Sequence, residues 1–131
     1  MRGAIVVNGG LGGVMAATAA GVKAAGGTCV ALLPGNDPDE ANPDASIVLA
    51  SGLGEMRNAL IARCCAAMIA IGGGWGTLSE IAFARRLGRP VALLHSWDMT
   101  APAGIERNAS LHRAASVSDA VEWVFAQLTA G

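Results

Sequence analysis

The chain has no tyrosine, three tryptophans and two phenylalanines, and only 15% of its 131 residues are charged. Aromatics at 4% argue against a stacking platform for a single nucleic-acid strand, which is read on exposed rings. Nine lysines and arginines against ten acids give a formal net charge of −1, with no basic run. A phosphate-backbone binder needs a clustered positive field, so no nucleic acid is expected as partner. The three cysteines are Cys29, Cys64 and Cys65. An odd number with an adjacent pair and no CxxC is neither a disulfide framework nor a zinc site. They read as small apolar residues in a reducing cytoplasm, and no metal is expected.

A long apolar run is missing too. Gly3 to Val22 carries no charge, and Met15 to Ala20 offers small-residue cleavage sites of the kind signal peptides have. Yet only Ala4-Ile5-Val6-Val7 is compactly apolar, and Asn8, Gly9, Gly10, Gly12 and Gly13 interrupt the rest of the stretch. A membrane span needs about 20 predominantly apolar residues. The segment therefore reads as strand, glycine turn and helix, and no membrane is expected as partner.

The residues that are abundant give a hydrophobic fraction of 53%, with 27 alanines and 18 glycines. That composition excludes disorder and suits close helix–sheet packing and backbone-lined sites. The length fits one domain, 1–131. Apolar runs predict strands at Gly3–Val7, Thr28–Leu33, Ser46–Ala50, Ala67–Ile71 and Val91–Leu94, with a short sixth at Ala114–Val117. Helices are predicted over Val14–Ala25, Leu53–Cys65, Thr77–Leu87 and Ser118–Leu128. Asn36–Ala45, with Pro38, Pro43 and four acids, is a polar loop, and His95–His112 is mostly loop. Short apolar strands alternating with helices predict a doubly wound, Rossmann-like α/β domain. It would have a parallel sheet, three layers and no second domain.

Two glycine turns, Gly9–Gly13 and Gly72–Gly76, each come after a strand and open a helix. In an open parallel sheet both lie at carboxyl ends of strands, where ligands bind. Helix starts present unpaired N–H groups and the positive end of the macrodipole, so an anion is the natural guest. The common motifs do not apply: Gly76-Thr77 lacks the Walker A lysine, and Met15 stands where the dinucleotide fingerprint needs its third glycine. Tight connection without a ligand is the alternative for either turn.

Glu80 allows two readings. Thr77-Leu78-Ser79-Glu80 has capping-box spacing; alternatively the Glu80 carboxylate faces a ligand at the helix start. Arg57 sits near a helix N-terminus, where a cation is unfavourable, so something should hold it there. It either clamps a phosphate or carboxylate, or is a solvated surface arginine. Trp75 is placed to stack on a base, close the pocket or pack on another subunit. His95 lies where it could line the cleft or act as a hydrogen-bonded loop residue.

Gly9-Gly10-Leu11-Gly12-Gly13-Val14-Met15 resembles the GGxxGVM turn of the LOG-like nucleotide-binding family, which includes phosphoribohydrolases that activate cytokinins. Arg57 stands at the arginine of that family's M-x-x-R-K segment. Gly72-Gly73-Gly74-Trp75-Gly76-Thr77-Leu78-Ser79-Glu80 resembles its PGGxGTxxE motif. The resemblance runs from about residue 3 to Leu94 and is nearest to a bacterial GGGxGTLSE subgroup; molybdenum-cofactor carrier proteins look similar too. Gly72 replaces the family proline, and Asn58 the lysine after the arginine. The family ordinarily has a further strand and helix before the first motif, and their loss would expose an edge for another subunit to cover.

The resemblance implies a nucleoside 5′-monophosphate phosphoribohydrolase, cleaving an N-glycosidic bond to give base and ribose 5-phosphate. Glu80 would stabilise the ribosyl centre, and Arg57 would orient substrate and glutamate. Gly9, Gly10, Gly13, Gly73, Gly74, Trp75, Gly76 and Thr77 would hold the phosphate and ribose. No cofactor is required for this chemistry. The alternative is a non-catalytic binder or carrier of a nucleotide or phosphate-bearing cofactor, and a third reading is a structural member kept for oligomer contacts. A homo-oligomer is expected.

Overall fold

The computed structural model describes residues 3–98 and 111–130. Its elements run β1 (Ile5–Asn8), α1 (Val14–Ala24), β2 (Thr28–Leu33), β3 (Ile47–Ala50), α2 (Arg57–Cys64), β4 (Met68–Ile71), α3 (Trp75–Arg86), β5 (Val91–Leu94), β6 (Leu111–Arg113) and α4 (Val117–Ala130). Single 3-10 turns at Pro38–Glu40 and Gly54–Met56 interrupt the loops. This is an α/β architecture in which every strand pair among the described residues is parallel. The chain divides into two compact units, one ending at Ile61 and one beginning at Ala62. The expected loop from His95 to His112 lies, over 99–110, outside the described residues.

In the first unit the strands hydrogen-bond in the order β1-β2-β3, with Ile5 opposite Thr28 and Val30 opposite Ile47. The central strand is the apolar run Thr-Cys-Val-Ala-Leu-Leu, and Cys29, Ala31, Leu32 and Leu33 are buried. The alanine-rich α1 fits close against it, with Ala19 fully buried. Small side chains let a helix approach a sheet closely, which is what the alanine and glycine excess provides.

The turn after β1 is tied to its neighbours atom by atom. Asn8 Oδ1 accepts from the Gly10 amide at 2.9 Å, and its Nδ2 donates to the Met15 carbonyl at 3.1 Å. The Asn42 amide donates to the Gly10 carbonyl at 2.8 Å, so the polar loop braces the turn. Gly10 has φ +76°, and a Cβ there would stand 2.6 Å from Ala31 Cβ and 2.8 Å from Leu33 Cδ2. Only glycine fits both the backbone angle and the gap. Arg57, the first residue of α2, reaches back to the same place. Its Nη1 donates to the carbonyls of Gly9 at 2.9 Å and Leu32 at 3.1 Å. These carbonyls are the fixed partners that a cation near a helix start calls for.

In the second unit the order is β4-β5-β6, with Met68 opposite Val91 and Val91 opposite Leu111. All four residues of β5 are buried. Ala92, Leu94, Ala114, Ala120 and Val124 form one buried cluster, with Ala67, Ile71 and Trp123 against it. The last strand is Leu111–Arg113 rather than the expected Ala114–Val117. The reason is a helix cap at that spot. Ser116 Oγ accepts from the Asp119 amide at 3.0 Å, and Asp119 Oδ2 accepts from the Ala115 amide at 2.8 Å. The pair Ser116 and Asp119 has capping-box spacing and starts α4 one residue earlier than the apolar pattern suggested.

These contacts carry two testable outcomes. Arg57→Ala leaves the two strand-end carbonyls without their charged donor. It should lower stability by roughly 1.5–3 kcal/mol, read as a lower urea midpoint. An unchanged midpoint would show that the guanidinium does not tie the strand ends. Asp119 is held below the usual carboxylate range by the Ala115 amide and then by the His112 ring, 3.1 Å from Oδ2. A depressed folded pKa gives stability that is present above the unfolded value, near 4. It is lost as pH falls through the folded value. Asp119→Asn should therefore flatten the acid limb of the stability–pH curve below about pH 4, whereas an unchanged limb would contradict the assignment.

Candidate phosphate-binding turns

Helices α1 and α3 begin in the same unusual way. Each has a glycine N-cap, Gly13 for α1 and Gly74 for α3, with no side-chain cap hydrogen bond and no acid in the first turn. In α1 the first intrahelical bond is Ala17 N–H to the Gly13 carbonyl at 3.0 Å; in α3 it is Leu78 N–H to the Gly74 carbonyl at 3.2 Å. The amides of Val14, Met15 and Ala16, and of Trp75, Gly76 and Thr77, precede those bonds. By helix geometry they have no acceptor within the helix. The start of α4 differs: there Ser116 and Asp119 supply side-chain oxygens and a negative charge. A bare, neutral helix start draws an anion, while a capped, acidic one does not.

One expectation is corrected here. The spacing predicted α3 from Thr77, with Thr77 and Glu80 as a capping box. The helix instead starts at Trp75, and Thr77 lies inside its first turn. The Thr77 side chain stands beside Gly73, whose φ is +117°, and a Cβ on Gly73 would collide with it. Glu80 is half-buried in the second turn, beyond the first-turn amides. It is close enough to the Cys65 thiol to add to the upward push that burial gives that group.

Beside this turn lies an open cavity of about 310 Å³, lined by Gly72, Gly73, His95, Ser96 and Trp97. Side chains just past β5 hold the turn by its carbonyls. Ser96 Oγ donates to the Gly72 carbonyl at 2.6 Å, and Trp97 Nε1 donates to the Gly74 carbonyl at 3.2 Å. With those carbonyls engaged, the turn offers its N–H groups. His95 adopts φ 49°, a left-handed conformation uncommon for a residue with a Cβ. Trp75 is 78% exposed and its ring sits 5.1 Å, centroid to centroid, from that of Trp97.

The sequence-derived residues thus fall into two sets. Gly9, Gly10, Gly13 and Arg57 belong to the first unit, where Gly9 and Arg57 meet directly; a Cβ on Gly9 would collide with Arg57 Nη1 and Met15 Sδ. Gly73, Gly74, Trp75, Gly76, Thr77 and Glu80 belong to the second. Sequence reasoning passed over Ser96 and Trp97. The available signal was their place at the carboxyl end of β5 and the rarity of tryptophan in this chain. Among the described residues, no three His, Cys, Asp or Glu side chains form a metal-binding group, and no helix is long and apolar enough to cross a membrane.

Comparison with known proteins places this geometry in context. An uncharacterized protein of Archaeoglobus fulgidus is 47% identical over 93 residues, which is 71% of this chain and 61% of that protein. The chain therefore matches less than two thirds of that relative's length. The molybdenum cofactor binding protein of Rippkaea orientalis superposes with a TM-score of 0.83 at 27% identity, over 97% of this chain and 79% of that one. The molybdenum cofactor carrier protein of Chlamydomonas reinhardtii gives 0.78 at 30% identity, over 99% and 81%. Both of these neighbours are named for molybdenum cofactor, and neither for the phosphoribohydrolase activity that the motifs first suggested. The family model described as SLOG cluster4 matches residues 1–121, and the chain belongs to the SLOG cluster4 family.

Proposed function

We propose that this protein binds and carries a phosphate-bearing small molecule of the molybdenum-cofactor type, without turning it over. The observation that supports this most is the pair of glycine-capped, acid-free helix starts, whose first-turn amides have no acceptor within the helix. A phosphate ester fits such donors by charge and by size. The glycines keep a Cβ out of its path, and none of the first-turn residues repels it. The structural neighbours named as cofactor binders and carriers point the same way.

Cleavage of an N-glycosidic bond would need Arg57 and Glu80 to act on one substrate. Arg57 Nη1 donates to two main-chain carbonyls, a contact that suits catalysis and carriage alike. A carrier requires only that it keep the Gly9 turn in shape. One domain acting as a homo-oligomer in the cytoplasm belongs to this proposal. Exposed Ile5, Ile47 and Leu49 on the first sheet are the apolar surface that favours assembly.

Gly74→Asp provides the test. Nothing lies within 4 Å of the Cβ it would add, and Gly74 has an extended backbone suited to a capping side chain. Aspartate is a strong N-cap, so the thermal midpoint should stay level or rise slightly. The new carboxylate takes the amides and repels an anion, so affinity for molybdenum cofactor or AMP, read by calorimetry, should fall at least tenfold. Equal affinity in the variant would contradict the proposal. Incubation with AMP should release no free base by chromatography. Release that disappears in Glu80→Gln would replace the carrier reading with the hydrolase.

A further inference from the structure

The chain has three tryptophans and two phenylalanines, and two of those tryptophans meet at one glycine turn. Trp97 is anchored there by its indole N–H on the Gly74 carbonyl at 3.2 Å. Trp75 rests against it with ring centroids 5.1 Å apart and planes inclined by 41°. Most of Trp75, 78% of its surface, faces solvent. Exposing a large indole is unfavourable, and the pair is not a core element. The pair sits where the open cavity lined by Gly72, Gly73, His95, Ser96 and Trp97 adjoins the start of α3. Trp75 also contributes the first helical amide of α3, which has no acceptor within the helix.

We infer that Trp75, backed by Trp97, is a stacking shelf for the fused, nitrogen-rich aromatic ring of a phosphate ester. That chemistry is shared by a purine nucleotide and a pterin phosphate. The inference rests on the carrier reading for the phosphate and adds the part of the ligand that the amides do not recognise. Trp97 fixes the tilt of Trp75, so less rotamer freedom is lost when a ring lands on it. Polarised heteroaromatic rings stack on indole without needing a matched hydrogen-bond pattern. The shelf therefore selects for a flat ring rather than for one base, and His95 and Ser96 at the cavity wall are left to meet its edge.

The test titrates the full chain with AMP, a pterin phosphate, ribose 5-phosphate and adenosine, monitored by calorimetry and tryptophan fluorescence. AMP or the pterin phosphate should bind about tenfold or more tightly than ribose 5-phosphate, with quenching that ribose 5-phosphate does not cause. The tighter of the two ring ligands identifies the source. Trp75→Ala, which keeps the main-chain amide, should abolish the quenching and bring the ratio of ring-ligand to ribose 5-phosphate affinity close to one. Trp75→Phe should restore most of the advantage. Adenosine separates the shelf from the anion site. Trp75-dependent quenching by adenosine, with no binding of ribose 5-phosphate, would sustain the shelf and remove the carrier reading. Binding of ribose 5-phosphate with no ring preference would do the reverse. A ring preference that survives Trp75→Ala overturns the shelf. So does loss of oligomer size in that variant with the preference intact, which would make Trp75 an interface residue.

Discussion

A helix cannot satisfy its own first amides, and most helices meet that debt with a serine, threonine or aspartate at the N-cap. Helices α1 and α3 do not. Both start from glycine, neither receives a side-chain cap, and neither has an acid in its first turn. Helix α4, built by the same chain, is capped by Ser116 and Asp119. The contrast shows that capping residues were accessible to this fold and are missing at two particular places. The remaining features of the turns serve to keep those amides presented. Gly10 and Gly73 accept backbone angles other residues resist, Asn8 and Asn42 brace the first turn, and Ser96 and Trp97 hold the second by its carbonyls.

Much of this was legible from residue order alone. The apolar runs at Thr28–Leu33 and Val91–Leu94 were read with the bounds the structure has, because each is bracketed by turn-forming residues. The strand–glycine–helix arrangement at both turns was legible for the same reason. The start of α3 was not. Gly74-Trp75-Gly76 has poor helix propensity, and the bonds that hold the turn come from Ser96 and Trp97, some twenty residues away in sequence. Local spacing made a capping box of Thr77 and Glu80, whereas tertiary contacts start the helix at Trp75. At β6 the apolar run Ala114–Val117 outweighed the capping signal of Ser116 inside it and Asp119 two residues beyond it.

Arg57 illustrates how one observation supports two readings until coordinates decide its partners. A cation at a helix start needs an anion or another set of fixed acceptors. The resemblance to phosphoribohydrolases offered a substrate; the structure supplies the carbonyls of Gly9 and Leu32. A guanidinium tied to two strand ends holds the glycine turn open and in register. That role suits catalysis and carriage alike, so Arg57 by itself does not mark an enzyme. The neighbours named as cofactor binders and carriers are what the proposal of carriage rests on beside the geometry.

The most direct measurement is the amide proton–nitrogen spectrum of the labelled protein during titration with a phosphate ester. Saturable shifts should concentrate on the amides of Trp75, Gly76 and Thr77, and of Val14, Met15 and Ala16. The first-turn amides of α4, already capped, should stay in place. A ligand that saturates the protein while the first-turn amides of α1 and of α3 all remain unmoved would contradict anion binding at these helix starts.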